Sequence, residues 1–154
     1  MLESALKEQL KGIFANLEGN FTFDIYVSPQ HEHRNELVEL LTDVADCSSH
    51  ISCRVNEGKR LEFTLLKNDH KTGITFRGVP SGHEFTSLLL AILNLDGKGK
   101  NFPDEQVCNR VKALKGPIRL TTYVSLTCTN CPDVVQALNA MTTLNEAITH
   151  EMVD

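Results

Sequence analysis

The chain has 154 residues, 41% hydrophobic and 23% charged, with a net charge of −5, values of ordinary soluble globular proteins and a length for one domain or two small ones. No apolar run approaches the ~20 residues of a bilayer span, and neither Lys and Arg nor the few aromatics gather into a basic, stacking surface, which speaks against membrane and nucleic-acid partners. The first residues mix acidic and basic groups where a signal core would be apolar, and the cysteines number five, an odd count; the expected location is cytoplasmic, where a disulfide is transient and catalytic.

Leu2, Leu6, Leu10, Ile13, Phe14 and Leu17 recur at helical spacing and predict an amphipathic helix over 2–17, ended by Gly19-Asn20. Phe21, Phe23, Ile25 and Val27 then alternate, the pattern of a strand with one buried side. A second helix carries Leu37, Val38, Leu40, Leu41 and Val44, and Ile51, Cys53 and Val55 alternate as another strand. Residues 61–66 and 73–79 read as a hairpin across the polar stretch 67–72. A buried helix spans about 82–94 through Leu88, Leu89, Leu90, Ala91, Ile92 and Leu93. Asp96-Gly97-Lys98-Gly99-Lys100 predicts a flexible charged linker. A short helix over 104–114, with Val107, Val111 and Leu114 on one face, is stopped by Gly116-Pro117.

From Ile118 the chain repeats itself. Tyr26-Val27-Ser28 recurs as Tyr123-Val124-Ser125, an offset of 97 residues, and the offset holds without gaps. Leu37, Val38 and Leu41 fall on Val134, Val135 and Leu138; Ile51, Cys53 and Val55 fall on Ile148, His150 and Met152. A strand, a helix and a strand repeating in register mark a duplicated α/β unit. The first copy continues through a hairpin and a closing helix, whereas the second stops just after its second strand, so the chain reads as a fragment of a longer protein. Its expected organisation is a first unit over 1–95, a linker and connecting helix over 96–117, and a partial second unit over 118–154. A β-α-β piece of about forty residues rarely buries enough surface to stand alone. It is expected to dock on the first copy, to swap with a neighbouring chain as a homodimer, or to remain loose.

Cys128-Thr129-Asn130-Cys131 falls between the strand ending near Leu126 and the helix carrying Val134, Val135, Leu138 and Met141. A helix N-terminus presents unpaired N–H groups and a positive dipole end, which favour a thiolate over a thiol. Cys128 is then the nucleophile and Cys131, one turn on, the resolving thiol. Pro132 suits the first helical turn, where its missing N–H has no partner to lose. The rival reading is half of a zinc site, with His83 or His150 as the additional ligands. Opposite the dithiol, the first copy has His31 and Arg34 in place of Cys128 and Cys131; a His31/His33 metal site competes there with a plain solvated loop. Ser81-Gly82-His83-Glu84 matches a capping box, with Glu84 reaching back to the Ser81 N–H. Cys47, Cys53 and Cys108 read as apolar side chains.

The runs Gly82-His83-Glu84-Phe85-Thr86-Ser87-Leu88 and Tyr123 through Leu138, with its Cys-x-Asn-Cys-Pro-Asp-Val-Val-Gln-Ala-Leu segment, resemble the N-terminal domain of the flavoprotein component of bacterial alkyl hydroperoxide reductase. The resemblance implies two tandem thioredoxin-like folds, the first complete and without a dithiol, the second carrying the Cys-x-x-Cys. It implies a relay that takes electrons from an FAD and NADH module following in the same chain and hands them to a peroxiredoxin, with no cofactor or metal in the present segment. Carried over by position, Cys128 and Cys131 are the redox pair and Glu84 is an acidic neighbour contributed by the first fold. Two other readings stand beside it: a general glutaredoxin-like or protein disulfide oxidoreductase, and a non-catalytic docking or zinc-binding domain.

Overall fold

In a computed structural model, residues 2–99 and 102–154 are described. Helix α1 (Ser4–Ile13) leads into β1 (Phe21–Val27), α2 (Arg34–Ala45), β2 (Ile51–Glu57), β3 (Leu61–Lys67) and β4 (His70–Arg77). A 3-10 turn, Gly82–Glu84, opens α3 (Phe85–Leu95), and α4 (Glu105–Ala113), β5 (Ile118–Tyr123), α5 (Cys131–Leu144) and β6 (Ile148–Val153) follow. The strands form one sheet in the order β2-β1-β3-β4-β6-β5. Of the three arrangements open to the second unit, docking on the first is the one adopted: β6 lies parallel to β4, with Ile74 opposite His150 and Phe76 opposite Met152.

The repeat is reproduced down to single hydrogen bonds. β5, α5 and β6 begin 97 residues after β1, α2 and β2. Phe21 pairs with Ile51 as Ile118 pairs with Ile148. The Phe21 N–H donates to the His50 carbonyl as that of Ile118 does to Ala147, and the His31 N–H donates to Ser28 as that of Cys128 does to Ser125. Identical loop closures in both units follow from identical spacing, because strand pairing and helix start leave the connecting backbone the same donors to satisfy.

Burial differs between the copies. In α2 the buried side chains are Leu37, Leu40, Leu41 and Val44; in α5 they are Pro132, Val135, Asn139, Ala140 and Thr142. The inward face of α5 is turned by about one residue, since α5 packs against α3 of the first unit. Val134, expected on the apolar stripe, is therefore 48% exposed. The core gathers Leu10, Phe14, Phe23, Phe63, Phe76, Leu88 and Ile92, and reaches the second unit through Val135 and Met152. Ile13, expected on the buried stripe of α1, faces out at 44% exposure.

The hairpin is tighter than its polar stretch suggests. Its strands run to Lys67 and from His70, leaving Asn68 and Asp69 with φ of 50° and 66°, the left-handed pair of a two-residue turn matched to strand twist. The linker expected to be flexible is fastened at its start. The Asp96 carboxylate accepts the Glu18 N–H at 3.0 Å and the Gly19 N–H at 2.8 Å, and Lys98 pairs with both Asp96 and Glu18. Lys100, the last residue of that linker, lies outside the described residues.

Candidate functional site: a disulfide at the start of a helix

The turn between β5 and α5 is built by short polar side chains. Ser125 Oγ accepts the Thr127 N–H at 3.4 Å, and the Ser125 carbonyl accepts the Cys128 N–H at 2.9 Å, a local closure typical of serine and threonine. Asn130 occupies the N-cap position and Pro132 the first turn of α5, where proline has no hydrogen bond to lose. Cys128 and Cys131 are joined as a disulfide with Cα atoms 5.6 Å apart, inside the range such a bridge requires. The Cys131 N–H, first of the helix, donates to Cys128 Sγ at 3.2 Å. Both cysteines are partly exposed, so a partner disulfide can reach them. The arrangement has the parts of thiol–disulfide exchange: an accessible sulfur, a helix-end donor aimed at it, and a second sulfur one turn away.

Glu84 departs from the capping reading. The α-helix starts at Phe85, so Glu84 stands at its N-cap position and not three residues inside. The Ser81 N–H is taken by the Val79 carbonyl. The carboxyl turns inward and is fully buried: Oε1 accepts from the Ser87 hydroxyl at 2.7 Å, and Oε2 has no hydrogen-bond partner. Its surroundings touch the segments that flank the dithiol on either side. A Cβ at Gly82 would stand 3.0 Å from the Leu126 carbonyl, in the turn that leads to Cys128. Gln136 of α5 donates to Ser87 Oγ at 3.2 Å. Sequence reading passed over Ser87 and Gln136; the available sign was a serine three residues after Glu84 in a largely apolar helix, the spacing that shares a helical face.

The remaining candidates separate from this site. Cys47 and Cys53 are free, and burial raises both thiols, that of Cys53 to about 11. Cys108 Sγ is directed at the Pro103 carbonyl. His33 is exposed and sits beside Glu32 and Glu36, with His31 alongside. His150 is buried on β6, with Nδ1 2.7 Å from Asn139 Oδ1 and Nε2 2.8 Å from Thr122 Oγ1; neither nitrogen faces the dithiol as a ligand. Among the described residues no three His, Cys, Asp or Glu side chains converge as a metal would require, and no helix is long and apolar enough to cross a membrane. A large open cavity borders β4, β5 and β6 at Lys71, Thr75, Arg119 and Thr149, away from both cysteines, so concavity does not locate this site.

No family model matches the chain. Over 155 aligned residues it is 43% identical to the F subunit of alkyl hydroperoxide reductase, AhpF, of Staphylococcus epidermidis, a match covering the whole chain and 30% of that protein. The chain thus spans about a third of the length of the curated relatives it matches. Among solved structures it superposes with a TM-score of 0.90 and 30% identity on the NTD_N/C domain of the alkylhydroperoxide reductase AhpF of Enterococcus faecalis, covering 100% of this chain and 80% of that one. A protein disulfide oxidoreductase of Aeropyrum pernix shares the fold at 15% identity and a TM-score of 0.78, covering 98% of this chain and 75% of that one. With its thioredoxin-like sheet, its Cys-x-x-Cys at a helix start and these two levels of likeness, the chain belongs to the AhpF family of alkyl hydroperoxide reductase components and corresponds to its N-terminal domain.

Proposed function

We propose that this chain is the thiol–disulfide relay of a peroxide-reducing system, with Cys128 as nucleophile, Cys131 as resolving thiol and Glu84 as proton carrier. The observation that carries the reading is the Cys131 N–H donated to Cys128 Sγ, which supports negative charge on that sulfur once the bond is reduced. The Cys128 thiolate attacks one sulfur of a partner disulfide; a mixed disulfide forms and the partner's other sulfur leaves as a thiolate that takes a proton from water. Cys131 then gives its proton to Glu84 Oε2 and attacks Cys128 Sγ. The intramolecular disulfide forms and the partner's second thiolate leaves. Two electrons have moved to the partner, and Glu84 returns its proton when the bond is next reduced.

In this reading the partner is a peroxiredoxin and the electrons come from an FAD and NADH module in the remainder of the full-length protein. The nine glycines of this chain contain no Gly-x-Gly-x-x-Gly run, so its own residues do not offer that dinucleotide fingerprint. The first unit, over 1–95, acts as a redox-inactive partner that supplies Glu84. The cytoplasm, with its reducing poise, is the compartment that suits such a relay.

Single-cysteine variants test the assignment. Cys128→Ser abolishes reduction of a peroxiredoxin disulfide, whereas Cys131→Ser accumulates a mixed disulfide resolvable on a non-reducing gel. Trapping by the Cys128→Ser variant alone reverses the roles, and full activity in both variants removes the relay.

A further inference from the structure

We propose that Ser87 and Gln136 form a clamp that orients the Glu84 carboxyl, so that the dithiol helix α5 itself positions the proton carrier. The inference rests on the proton-carrying role of Glu84 given above and names the residues that make that role possible.

Hydrogen-bond chemistry fixes the direction of the relay. Gln136 Nε2 can only donate, so Ser87 Oγ accepts from it at 3.2 Å; the single hydroxyl proton of Ser87 then goes to Glu84 Oε1 at 2.7 Å. With the Gln136 amide turned over, its oxygen and the Glu84 oxygen would compete for that one proton. The two carboxyl oxygens are thereby made inequivalent: Oε1 is held as an acceptor, while Oε2, buried and without a partner, is the atom left to take up or release a proton.

A plain packing role for Ser87 explains less. A buried helical serine can satisfy its hydroxyl on a carbonyl one turn back within its own helix, and Ser87 instead spends it on a carboxyl that remains half satisfied. Glu84 makes no ion pair among the described residues. The clamp also follows the dithiol between the copies. Where α5 has Gln136, the corresponding position of α2, which carries no cysteine pair, is Glu39, and that side chain is not buried.

The test uses the reduced 154-residue chain and one equivalent of 2,2′-dithiodipyridine. Attack by Cys128 releases a first thiopyridone, and closure by Cys131 releases a second; the second phase, followed against pH, reports the proton transfer. Glu84→Gln is expected to slow the second phase at least tenfold and to flatten its pH profile. Ser87→Ala and Gln136→Ala are expected to move the midpoint of that profile by about half a pH unit or more, the size of one lost hydrogen bond to a carboxyl, and to leave the first phase unchanged. Ser87→Thr, which keeps the hydroxyl, is expected to retain the parent midpoint, and adding Ser87→Ala to Glu84→Gln is expected to change nothing further. A Ser87→Ala chain that does not fold leaves the decision to Gln136→Ala, a partly exposed site on α5. Unmoved midpoints in the clamp variants, with Glu84→Gln effective, overturn the clamp and leave the proton carrier standing. An unchanged Glu84→Gln profile overturns both.

Discussion

The Cys131 N–H points at the sulfur of Cys128 from 3.2 Å, whereas the equivalent N–H in the first unit, that of Arg34, goes to the His31 carbonyl. Two copies of one backbone thus use the same donor differently. In one it stabilises a sulfur; in the other it closes a turn. The expected consequence is a large spread in thiol reactivity within the chain. Cys53, with a thiol pushed up to about 11 by burial, is about one part in ten thousand thiolate at pH 7. Cys128 in the reduced chain should be alkylated by iodoacetamide at least ~100-fold faster than Cys53, read by mass spectrometry of peptides after timed quenching. Comparable rates at the two positions would show that the helix start does nothing for the sulfur.

Gly82 ties the first unit to the turn before the dithiol. Its φ is +57°, a conformation that L side chains rarely adopt, and a Cβ there would stand 3.0 Å from the Leu126 carbonyl. Gly82→Ala should therefore cost about 1–2 kcal/mol of stability. It should also slow thiol–disulfide exchange, because the Leu126 turn and the Glu84 segment are pushed apart together. Chemical denaturation and exchange kinetics on the same sample check the pair of effects; an unchanged midpoint with unchanged kinetics refutes the contact.

Much of this was legible in the sequence, for a definite reason. Strand alternation and helical spacing are backbone periodicities, and a duplicated unit presents each of them twice at a fixed offset, so β1, α2, β2 and β5, α5, β6 could be matched before any coordinates. The Cys-x-x-Cys was legible because its place between a strand and a helix is itself a local feature. What failed was set by tertiary packing. Val134 is exposed because α5 rests on α3, a neighbour that no local pattern names. Glu84 escaped the capping reading because a 3-10 turn delays the α-helix to Phe85 and carries the carboxyl inside. Ser87 and Gln136 are 49 residues apart, and nothing in either segment alone announces the other.

Asp96 is expected to be a stability site, not a linker residue. Burial alone would raise its pKa, but the N–H groups of Gly19 and Glu18 and the Lys98 ammonium outweigh burial and hold the carboxyl below its ordinary value of 3.8. Asp96→Ala leaves those two N–H groups without their acceptor and should cost about 1.5–3 kcal/mol, the range for hydrogen bonds to a charged group; Asp96→Asn keeps one acceptor oxygen and should cost less. The carboxylate's contribution is present above pH 3.8 and is lost as pH falls through its lower folded value. Urea titration of the three proteins at neutral pH gives the ranking, and equal midpoints for Ala and parent would return this segment to the status of a loose linker.

His150 supplies a second acid sensitivity of the same sign at higher pH, from inside the second unit. Its side chain is buried between β5 and α5, with Nδ1 against Asn139 Oδ1 and Nε2 against Thr122 Oγ1. An amide oxygen can only accept, so Nδ1 carries the ring proton and Nε2 accepts from the threonine, which is the neutral tautomer. Burial lowers its pKa from 6.5 to about 4, against a smaller opposing effect of Glu151. Between those two values the unfolded chain binds a proton that the folded chain refuses, so stability rises with pH across that window. It is fully present above about pH 6.5, falls as the solution is acidified toward pH 4, and loses at most about 3 kcal/mol, by the linkage of pKa to free energy. The first unit shows how to remove the effect, since the corresponding positions hold Cys53 and Thr42, and the Cys53 thiol, pushed up to about 11 by burial, stays neutral across that window. The double variant His150→Cys with Asn139→Thr should flatten the stability profile between pH 6.5 and 4 while preserving the strand order. An unaltered slope in that variant would assign the acid sensitivity to other groups.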